Sequence, residues 1–218
     1  MLELEQALAR ILETIPPPET ESIPLADAYG RVCAERIKSR VDLPSFDNSA
    51  MDGYAVRASD VASARTETPV RLRLIGKVAA GERFAGKVSR GTCVRLFTGS
   101  PMPRGANAVV MQEDTRVEPA ANGEVLFLEP IRGGENVRPR GEDVQRGTTV
   151  AQPGEALTAG RIGLLAATGV SRVSVGRQPA VGLLATGSEL TKPGAALSPG
   201  KIYESNRVAL AGLVHRAG

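Results

Sequence analysis

Apolar residues recur every three or four positions near the start of the chain, and three prolines, Pro16 to Pro18, follow them at once. This spacing predicts an amphipathic helix over residues 2–15. The helix should end at the prolines, because proline has no N–H to continue the hydrogen-bond ladder. Its apolar stripe must then pack against another surface. The residues of the stripe are Leu4, Leu8, Ile11, Leu12 and Ile15.

Between Asp42 and Gly147 the apolar runs are short, and glycines and prolines separate them at short intervals. Over residues 70–74, valine and leucine alternate with arginine, which is the pattern of a half-buried strand. Similar runs predict further strands. This pattern favours a compact, mainly β domain with irregular loops over a series of βαβ units. The further runs cover residues 93–97, 108–111 and 125–128.

The flanking segments have a different character. Residues 23–40 predict a short helix followed by a strand, and residues 148–177 predict a strand, a helix that begins near Thr158 and a strand that ends at Val175. From Pro179 onward, the apolar run AVGLLA predicts a buried parallel strand. A loop, TGSEL, follows it, and SNRVALAGLVHRAG predicts a helix with a Ser or Asn cap.

One β-α unit cannot complete a parallel sheet. Its strand would leave unpaired backbone groups on both edges and an apolar run half exposed. We therefore expect that the chain stops inside a domain, unless an earlier strand or another chain completes the sheet.

Composition narrows the class of protein. The chain has 218 residues, of which 42% are hydrophobic and 23% charged, and this predicts a globular protein of one to three domains. No apolar run reaches the length of a membrane helix and the start is acidic rather than basic, so we expect a cytoplasmic protein with no membrane segment. A net charge of +3 and seven aromatic residues argue against nucleic-acid binding. Two distant cysteines and one histidine argue against a zinc site.

Three aspartates, Asp42, Asp47 and Asp52, lie within eleven residues of one another in the segment DLPSFDNSAMDGYAV. Two carboxylates 4 Å apart repel by about 4 kcal/mol at an effective dielectric near 20, so a cation, a proton or an arginine would relieve them. Mg²⁺ is the natural cation, because it accepts one or two carboxylates together with waters and phosphate oxygens. A solvated loop with Asx turns explains the same residues, and residue type alone favours that interpretation.

Two further segments combine hydroxyls, glycines and charges. In RLFTGSPMPRGANAVVMQED, Thr98 and Gly99 could offer a hydroxyl and backbone N–H groups to an anion, although a stiff loop would look the same. In RGGENVRPRGEDV, the arginines, among them Arg138 and Arg140, crowd against acids that include Asp143. Such arginines could hold phosphate, or the segment could be a surface network of ion pairs.

The loop TGSEL places Thr186, Gly187, Ser188 and Glu189 after the predicted parallel strand. Open α/β sheets bind ligands at the carboxyl ends of their strands, so Glu189 is a candidate metal ligand or base. A helix cap followed by an acidic first turn is the alternative.

Five segments in series resemble the molybdopterin molybdenumtransferase family, whose animal relative is the E domain of gephyrin. The resemblance covers nearly the whole chain in the right order, and five motifs in series are far more specific than each one alone. The segments are FDNSAMDGYAV, RLFTGSPMPRGANAVVMQED, RPRGEDV, LLATGSEL and IYESN.

The resemblance implies a mixed α/β, multidomain architecture. An elongated β-rich dimerisation domain is expected from residues 1–40 plus 148–177, and the helix at 2–15 could also pack on the α/β domain. A mainly β domain is expected as an insertion over residues 41–147, and residues 178–218 are expected to be the first β-α unit of a truncated three-layer, molybdopterin-binding α/β domain.

The resemblance also implies an activity. Members insert molybdenum from molybdate into adenylylated molybdopterin with release of AMP, they depend on Mg²⁺, and they form homodimers. The molybdopterin-adenylylating protein is a further implied partner. The chain lacks the later glycine-rich loops of the pterin site, so we expect it to be inactive by itself. The alternative function is a noncatalytic dimeric scaffold, as in gephyrin.

By resemblance, four residues are candidate catalytic groups. Asp52 would help to bind metal or molybdate, Thr98 would contact substrate or an oxyanion, Asp143 would be a further acid, and Glu189 would engage metal or pterin pyrophosphate. Asp52 and Glu189 are thus the candidate metal ligands. The candidate substrate-binding residues are Ser49, Gly99, Arg138, Arg140, Thr186, Gly187 and Ser188.

Overall fold

The computed structural model describes residues 3–117 and 123–217, which are mostly β with a few helices. The helices are α1 (Leu4–Thr14), α2 (Ala159–Ala167) and α3 (Asn206–Ala217). The strands are β1 (Thr20–Pro24), β2 (Ile37–Lys38), β3 (Asn48–Ser49), β4 (Gly53–Val56), β5 (Val70–Val78), β6 (Thr92–Leu96), β7 (Ala108–Met111), β8 (Thr115–Arg116), β9 (Glu124–Phe127), β10 (Val137–Arg138), β11 (Thr149–Ala151), β12 (Arg172–Gly176), β13 (Leu190–Thr191) and β14 (Ile202–Tyr203).

The chain divides into two compact units. One comprises residues 1–37 and 149–218, and the other comprises residues 38–148. Each unit is described separately below. Most predicted helices and strands are present within one or two residues at each end. The exceptions among the longer strands are β5, which continues four residues beyond the predicted alternation at 70–74, and β1, which the apolar pattern did not predict.

Residues 38–148 are built on a six-stranded sheet with the order β7-β4-β6-β5-β9-β8. Its pairs are antiparallel except β5 with β6, which are parallel. The connection between these two strands, residues 79–91, contains no helix, so the parallel pair does not form a βαβ unit. A register shift between Leu74 and Lys77 bends β5, as a β-bulge does.

Apolar side chains cover both faces of this sheet at β4. The strand β4 is buried along its whole length, with Tyr54 and Val56 in one core cluster and Ala55 in another. Successive strand residues point to opposite faces, so a strand buried in this way must be covered on both sides. The ring of Tyr54 meets that of Phe127 edge to face, with centroids 5.9 Å apart. The sheet is therefore a firm support for the loops at its ends.

In the unit formed by residues 1–37 and 149–218, β1 and β12 pair antiparallel from Thr20↔Gly176 to Pro24↔Arg172. The helix α2 begins as predicted, because the Thr158 hydroxyl accepts a hydrogen bond from the Arg161 N–H at 3.3 Å. The short helix predicted within residues 23–40 is wrong in type, since the structure has only a 3₁₀ turn at Leu25–Asp27 there.

The predicted parallel strand over residues 180–185 is also wrong. The segment has no regular structure, and Leu184 is 89% exposed. A strand needs a neighbour for its ladder hydrogen bonds, and the described residues of this unit provide none beside it. The parallel pairing present nearby is short, with Leu190 opposite Ile202 and Thr191 opposite Tyr203.

Both predicted terminal helices are present, and neither has a buried residue among those described. The predicted helix at the start is present as α1, but none of its residues is buried and Leu4 is 77% exposed. The predicted last helix is present as α3, where the Glu204 carboxylate accepts a hydrogen bond from the Arg207 N–H at 2.6 Å. Among the residues that the structure describes, no helix combines the length and apolarity of a membrane span.

Candidate functional site

Asp52 and Thr98 are joined by two hydrogen bonds. The Thr98 backbone N–H and hydroxyl both donate to Oδ1 of Asp52, at 2.8 and 2.9 Å. Asp52 directly precedes β4 and Thr98 follows β6, and these strands pair antiparallel with Gly53 opposite Leu96. The sheet thus brings together two of the four candidate catalytic residues, which lie 46 positions apart in the sequence.

This pairing favours the ionised form of Asp52. The Thr98 N–H and hydroxyl lower the pKa of the Asp52 carboxyl below its usual range, and the positive charge of Arg95 lowers it further. Desolvation acts in the opposite direction; its effect is smaller than that of either Thr98 hydrogen bond and larger than that of the Arg95 charge. Asp52 is therefore a fixed carboxylate near neutral pH, able to accept hydrogen bonds or bind a cation.

The loop that carries Thr98 is held by main-chain contacts to the segment before Asp52. The Gly99 N–H donates to the Ser49 carbonyl at 2.8 Å, and the Ser49 N–H donates to the Ser100 carbonyl at 2.9 Å. Gly99 has a φ of +82°, a conformation that glycine adopts without strain. Ser49 is fully buried and its hydroxyl donates to the Met51 carbonyl at 2.5 Å. In this arrangement Ser49 and Gly99 fix the backbone that positions Thr98.

Gly53 explains why a small residue follows Asp52. A Cβ at this position would lie 2.1 Å from the Val110 carbonyl oxygen of β7. Real side chains do not approach backbone so closely, so β4 and β7 can pair here only because Gly53 has no side chain.

Arg138 and Arg140 are both paired with acids of the same unit. Arg138 binds Glu142 through Nε and Asp143 through Nη2, each at 2.7 Å. Arg140 Nε lies 2.6 Å from Asp42 Oδ2. This arrangement matches the ion-pair network that the sequence left open as an alternative. An anionic ligand at either guanidinium would have to compete with these carboxylates.

The neighbouring acids have well-defined partners. The pKa of the Asp42 carboxyl is lowered, first by the Arg146 backbone N–H and then by the Arg140 side chain. Asp47 accepts a hydrogen bond from the Arg140 N–H at 2.7 Å. Each of the three aspartates thus accepts hydrogen bonds from donors of this unit, and Arg140 contacts two of them.

Residues 186–189 lie in the other unit and are solvent-exposed. The Glu189 carboxylate folds back over Gly187. A Cβ at position 187 would lie only 2.6 Å from Glu189 Oε1, so the carboxylate occupies the space that a side chain would need. The backbone of Ser188 accepts a hydrogen bond from Lys201 Nζ at 2.5 Å. Thr186 is exposed in the irregular segment. These four candidates form a local turn beside β13.

Arg95 is a residue beside Asp52 that the sequence motifs did not single out. Its guanidinium carbon lies 4.9 Å from the ring centroid of Tyr54 and 5.3 Å from that of Phe97. Its Nη2 donates to the Gln112 side-chain oxygen. The only signal in the sequence is an arginine inside the otherwise apolar strand TCVRLF.

Comparison with known proteins gives a consistent result. Residues 2–169 match the profile of a family described as the MoeA N-terminal region, domain I and II. A molybdopterin molybdenumtransferase of Haemophilus influenzae is 42% identical over 208 residues, which are 95% of this chain and 50% of that protein. One of Bacillus subtilis is 37% identical over 94% of this chain and 48% of its own length. The chain thus spans about half the length of these curated relatives.

The fold has a close counterpart among solved structures. The crystal structure of the molybdopterin biosynthesis moeA protein from Pyrococcus horikoshii OT3 superimposes with a TM-score of 0.88 and 38% identity, over 99% of this chain and 57% of that one. Sequence profile, curated relatives and fold agree, and the chain belongs to the family defined by the MoeA N-terminal region.

Proposed function

We propose that the protein acts in molybdenum cofactor biosynthesis as a transferase that inserts molybdenum from molybdate into adenylylated molybdopterin and releases AMP. The observation that carries this proposal is the Asp52–Thr98 pair, an ionised carboxylate held by two donors of one residue at the end of a rigid sheet. The relatives supply the substrate class, since they are named molybdopterin molybdenumtransferases.

The proposed reaction is mainly one of positioning and charge stabilisation. Molybdate and the phosphoanhydride of the substrate are both anionic, so cleavage with AMP as the leaving group requires a hard cation and placed ligands for it. Asp52 suits this role because Thr98 occupies Oδ1 while Oδ2 accepts no hydrogen bond from the described residues. The Thr98 hydroxyl donates its hydrogen bond to Asp52 and would therefore orient the acid. It could donate to a substrate oxyanion only after rotating away from Asp52.

Magnesium fits this site as a cation shared with the substrate. Among the described residues, no group of three His, Cys, Asp or Glu side chains could hold a metal by themselves. Mg²⁺ commonly takes only one or two carboxylates and completes its shell with phosphate oxygens and water. We propose Asp52 as a metal ligand in its unit and Glu189 as a metal ligand in the other. When bound, the ion would neutralise charge that develops on the phosphoanhydride.

The other candidate roles belong to the same proposal. Asp143 would be a further acid of the substrate-binding site. It is paired with Arg138, so substrate would have to displace that contact. We propose that Arg138, Arg140, Ser49, Gly99, Thr186, Gly187 and Ser188 bind or frame the substrate.

We also propose a division of labour along the chain. Residues 1–40 with 148–177 would form the dimerisation domain, 41–147 the inserted domain and 178–218 the start of the molybdopterin-binding domain. The exposed apolar stripe of α1 supports a packing partner, either a second copy of the chain or the rest of the α/β domain.

The homodimer predicts twice the chain mass in light scattering, and a monomer at all concentrations would refute it. The adenylylating protein is the proposed source of substrate.

The test of the activity is AMP release from adenylylated molybdopterin by the product of the intact gene, with and without molybdate. We expect molybdate to stimulate release, and Asp52→Asn to reduce the rate about 100-fold or more, the cost of losing one preorganised electrostatic group. The matched control is Asp27→Asn, an exposed aspartate in the 3₁₀ turn at Leu25–Asp27. Equal rates for the parent and Asp52→Asn would remove Asp52 from the mechanism. No release by the parent would refute the proposed function.

A further inference from the structure

We propose that Arg95 is a positioning residue, which clamps the start of β4, where Asp52 lies, to the loop after β6 that carries Thr98. The idea rests on the proposed function for its biological meaning, but its geometry is independent of that function. Arg95 lies on β6 and is paired with Tyr54 of β4 on one side and Lys77 of β5 on the other. It is therefore at the middle of the sheet, three residues before Thr98.

The guanidinium contacts both segments that supply the pair. Tyr54 is two residues after Asp52 and Phe97 directly precedes Thr98, and Arg95 lies within 5.3 Å of both ring centroids. Stacking of a guanidinium on an aromatic ring is attractive through the ring quadrupole. A contact with both rings opposes any separation of the two segments.

A third contact reaches the Asp52 backbone through Gln112. The Gln112 side chain accepts a hydrogen bond from Arg95 Nη2, and the Gln112 N–H donates to the Asp52 carbonyl at 3.0 Å. The planar fork of arginine can stack and donate at the same time, which an ammonium group cannot do in this way. The Asp52 residue is thus held on one side by Thr98 and on the other by Gln112.

Arg95 also keeps its charge without a carboxylate of its own. No acid lies within ion-pair distance of it in the described part of the chain, and its Nη1 is buried and has no hydrogen-bond partner there. A buried, unpartnered charged N–H is costly, so a packing role alone would be served better by an apolar side chain. The contacts that account for a guanidinium here are those with the two rings and with Gln112.

The test follows hydrogen exchange of the Thr98 amide, which donates to Asp52 Oδ1, by NMR in the 218-residue chain. We expect Arg95→Met, which keeps most of the volume but neither charge nor fork, to speed this exchange several-fold. The matched control is Arg71→Met, on the same sheet, where the arginine is exposed and paired with Glu124 at 3.4 Å. It should leave exchange of the Thr98 amide unchanged. Unchanged exchange of the Thr98 amide in Arg95→Met would overturn the proposal.

Folding of the variants is read in the same spectra from the amides of β9 (Glu124–Phe127), which lie on the same sheet away from Asp52. If Arg95→Met speeds exchange in β9 as well, the decision passes to Gln112→Ala, an exposed position whose truncation removes the acceptor of the guanidinium. Exchange of the Thr98 amide should be faster there too, and no change would overturn the proposal. These results do not depend on AMP release, so an inactive parent protein would refute the proposed function and leave the clamp intact.

Discussion

Gly53→Ala tests whether the site depends on close packing of β4 against β7. The added Cβ would lie 2.1 Å from the Val110 carbonyl oxygen, 3.0 Å from the Val110 carbonyl carbon and 3.1 Å from the Val109 Cγ1 atom. Ordinary contact begins at 3.4 Å, so the strands would have to separate by more than 1 Å. The pairing of Gly53 with Met111 would then be lost.

The magnitude follows from the atoms involved. Overpacking of a core costs about 1–3 kcal/mol, and the upper end applies here because a backbone carbonyl cannot rotate away as a side chain can. At roughly 2–4 °C per kcal/mol for a chain of this size, Gly53→Ala should lower the Tm by about 6–12 °C.

The assay is urea and thermal unfolding followed by circular dichroism, with hydrogen exchange of residues 48–56 as a local probe. Gly163→Ala is the matched control, because Gly163 lies inside α2 and a Cβ there meets nothing within 4 Å. Alanine should raise the free energy of unfolding there by about 0.5–1 kcal/mol, since glycine is a poor helix former. If both variants change stability in the same direction, or if exchange of residues 48–56 is unaltered in Gly53→Ala, the steric argument is refuted.

Three further outcomes are expected. Thr98→Val should raise the pKa of Asp52 in an NMR titration, because a hydroxyl donor is lost. The lowered pKa of Asp52 stabilises the fold above the ordinary value of 3.8, and this stability is lost as the pH falls through the pKa of the folded state. The variant should therefore lose less stability on acidification than the parent does. Burial raises the pKa of the Cys93 thiol to about 12, so a thiol reagent at pH 8 should label it only after unfolding in urea, and rapid labelling of the folded chain would contradict this. Ser100→Ala should lower the free energy of unfolding by about 1–3 kcal/mol, because the Val78 carbonyl loses its donor at 3.0 Å, and an unchanged urea midpoint would contradict the expected loss.

The apolar pattern predicts elements well where a single face is buried. In β5, Leu72 is buried while its neighbours Arg71 and Arg73 are exposed, which is the alternation seen in the sequence. The start of α2 follows from the Thr158 cap. Both signals are local, since they depend on side chains a few positions apart, and here the tertiary contacts agree with them.

The pattern fails where an element needs a distant partner. The run AVGLLA has the composition of a buried strand, yet a strand forms only beside another that accepts its hydrogen bonds. The short helix within residues 23–40 fails for a related reason. Residues of this segment instead form isolated antiparallel β-bridges, with Val32 opposite Ala156 and Cys33 opposite Val175. Neither contact can be read from the segment itself.

The candidate site also combines residue types that the sequence shows with a contact that only the tertiary structure creates. The residue types at Asp52 and Thr98 are visible in the sequence, but their contact is created by the register of β4 with β6. A shift of one residue would turn each side chain to the other face of the sheet. The resemblance to a family identifies both residues as candidates, while only the sheet explains why they meet.

The arginines illustrate why charge pattern alone misdirects the search for a site. Arg138 is prominent in the sequence because acids lie four and five positions away, and for the same reason it is already paired with Glu142 and Asp143. Arg95 is inconspicuous because its neighbours on the same face of the strand, Cys93 and Phe97, cannot neutralise it. Without an acid beside it, the Arg95 guanidinium contacts Tyr54, Phe97 and Gln112, which lie next to Asp52 or Thr98 in the structure. In a loop rich in both signs the charges pair with one another, so an isolated arginine within a strand is the better guide to a group that supports a site.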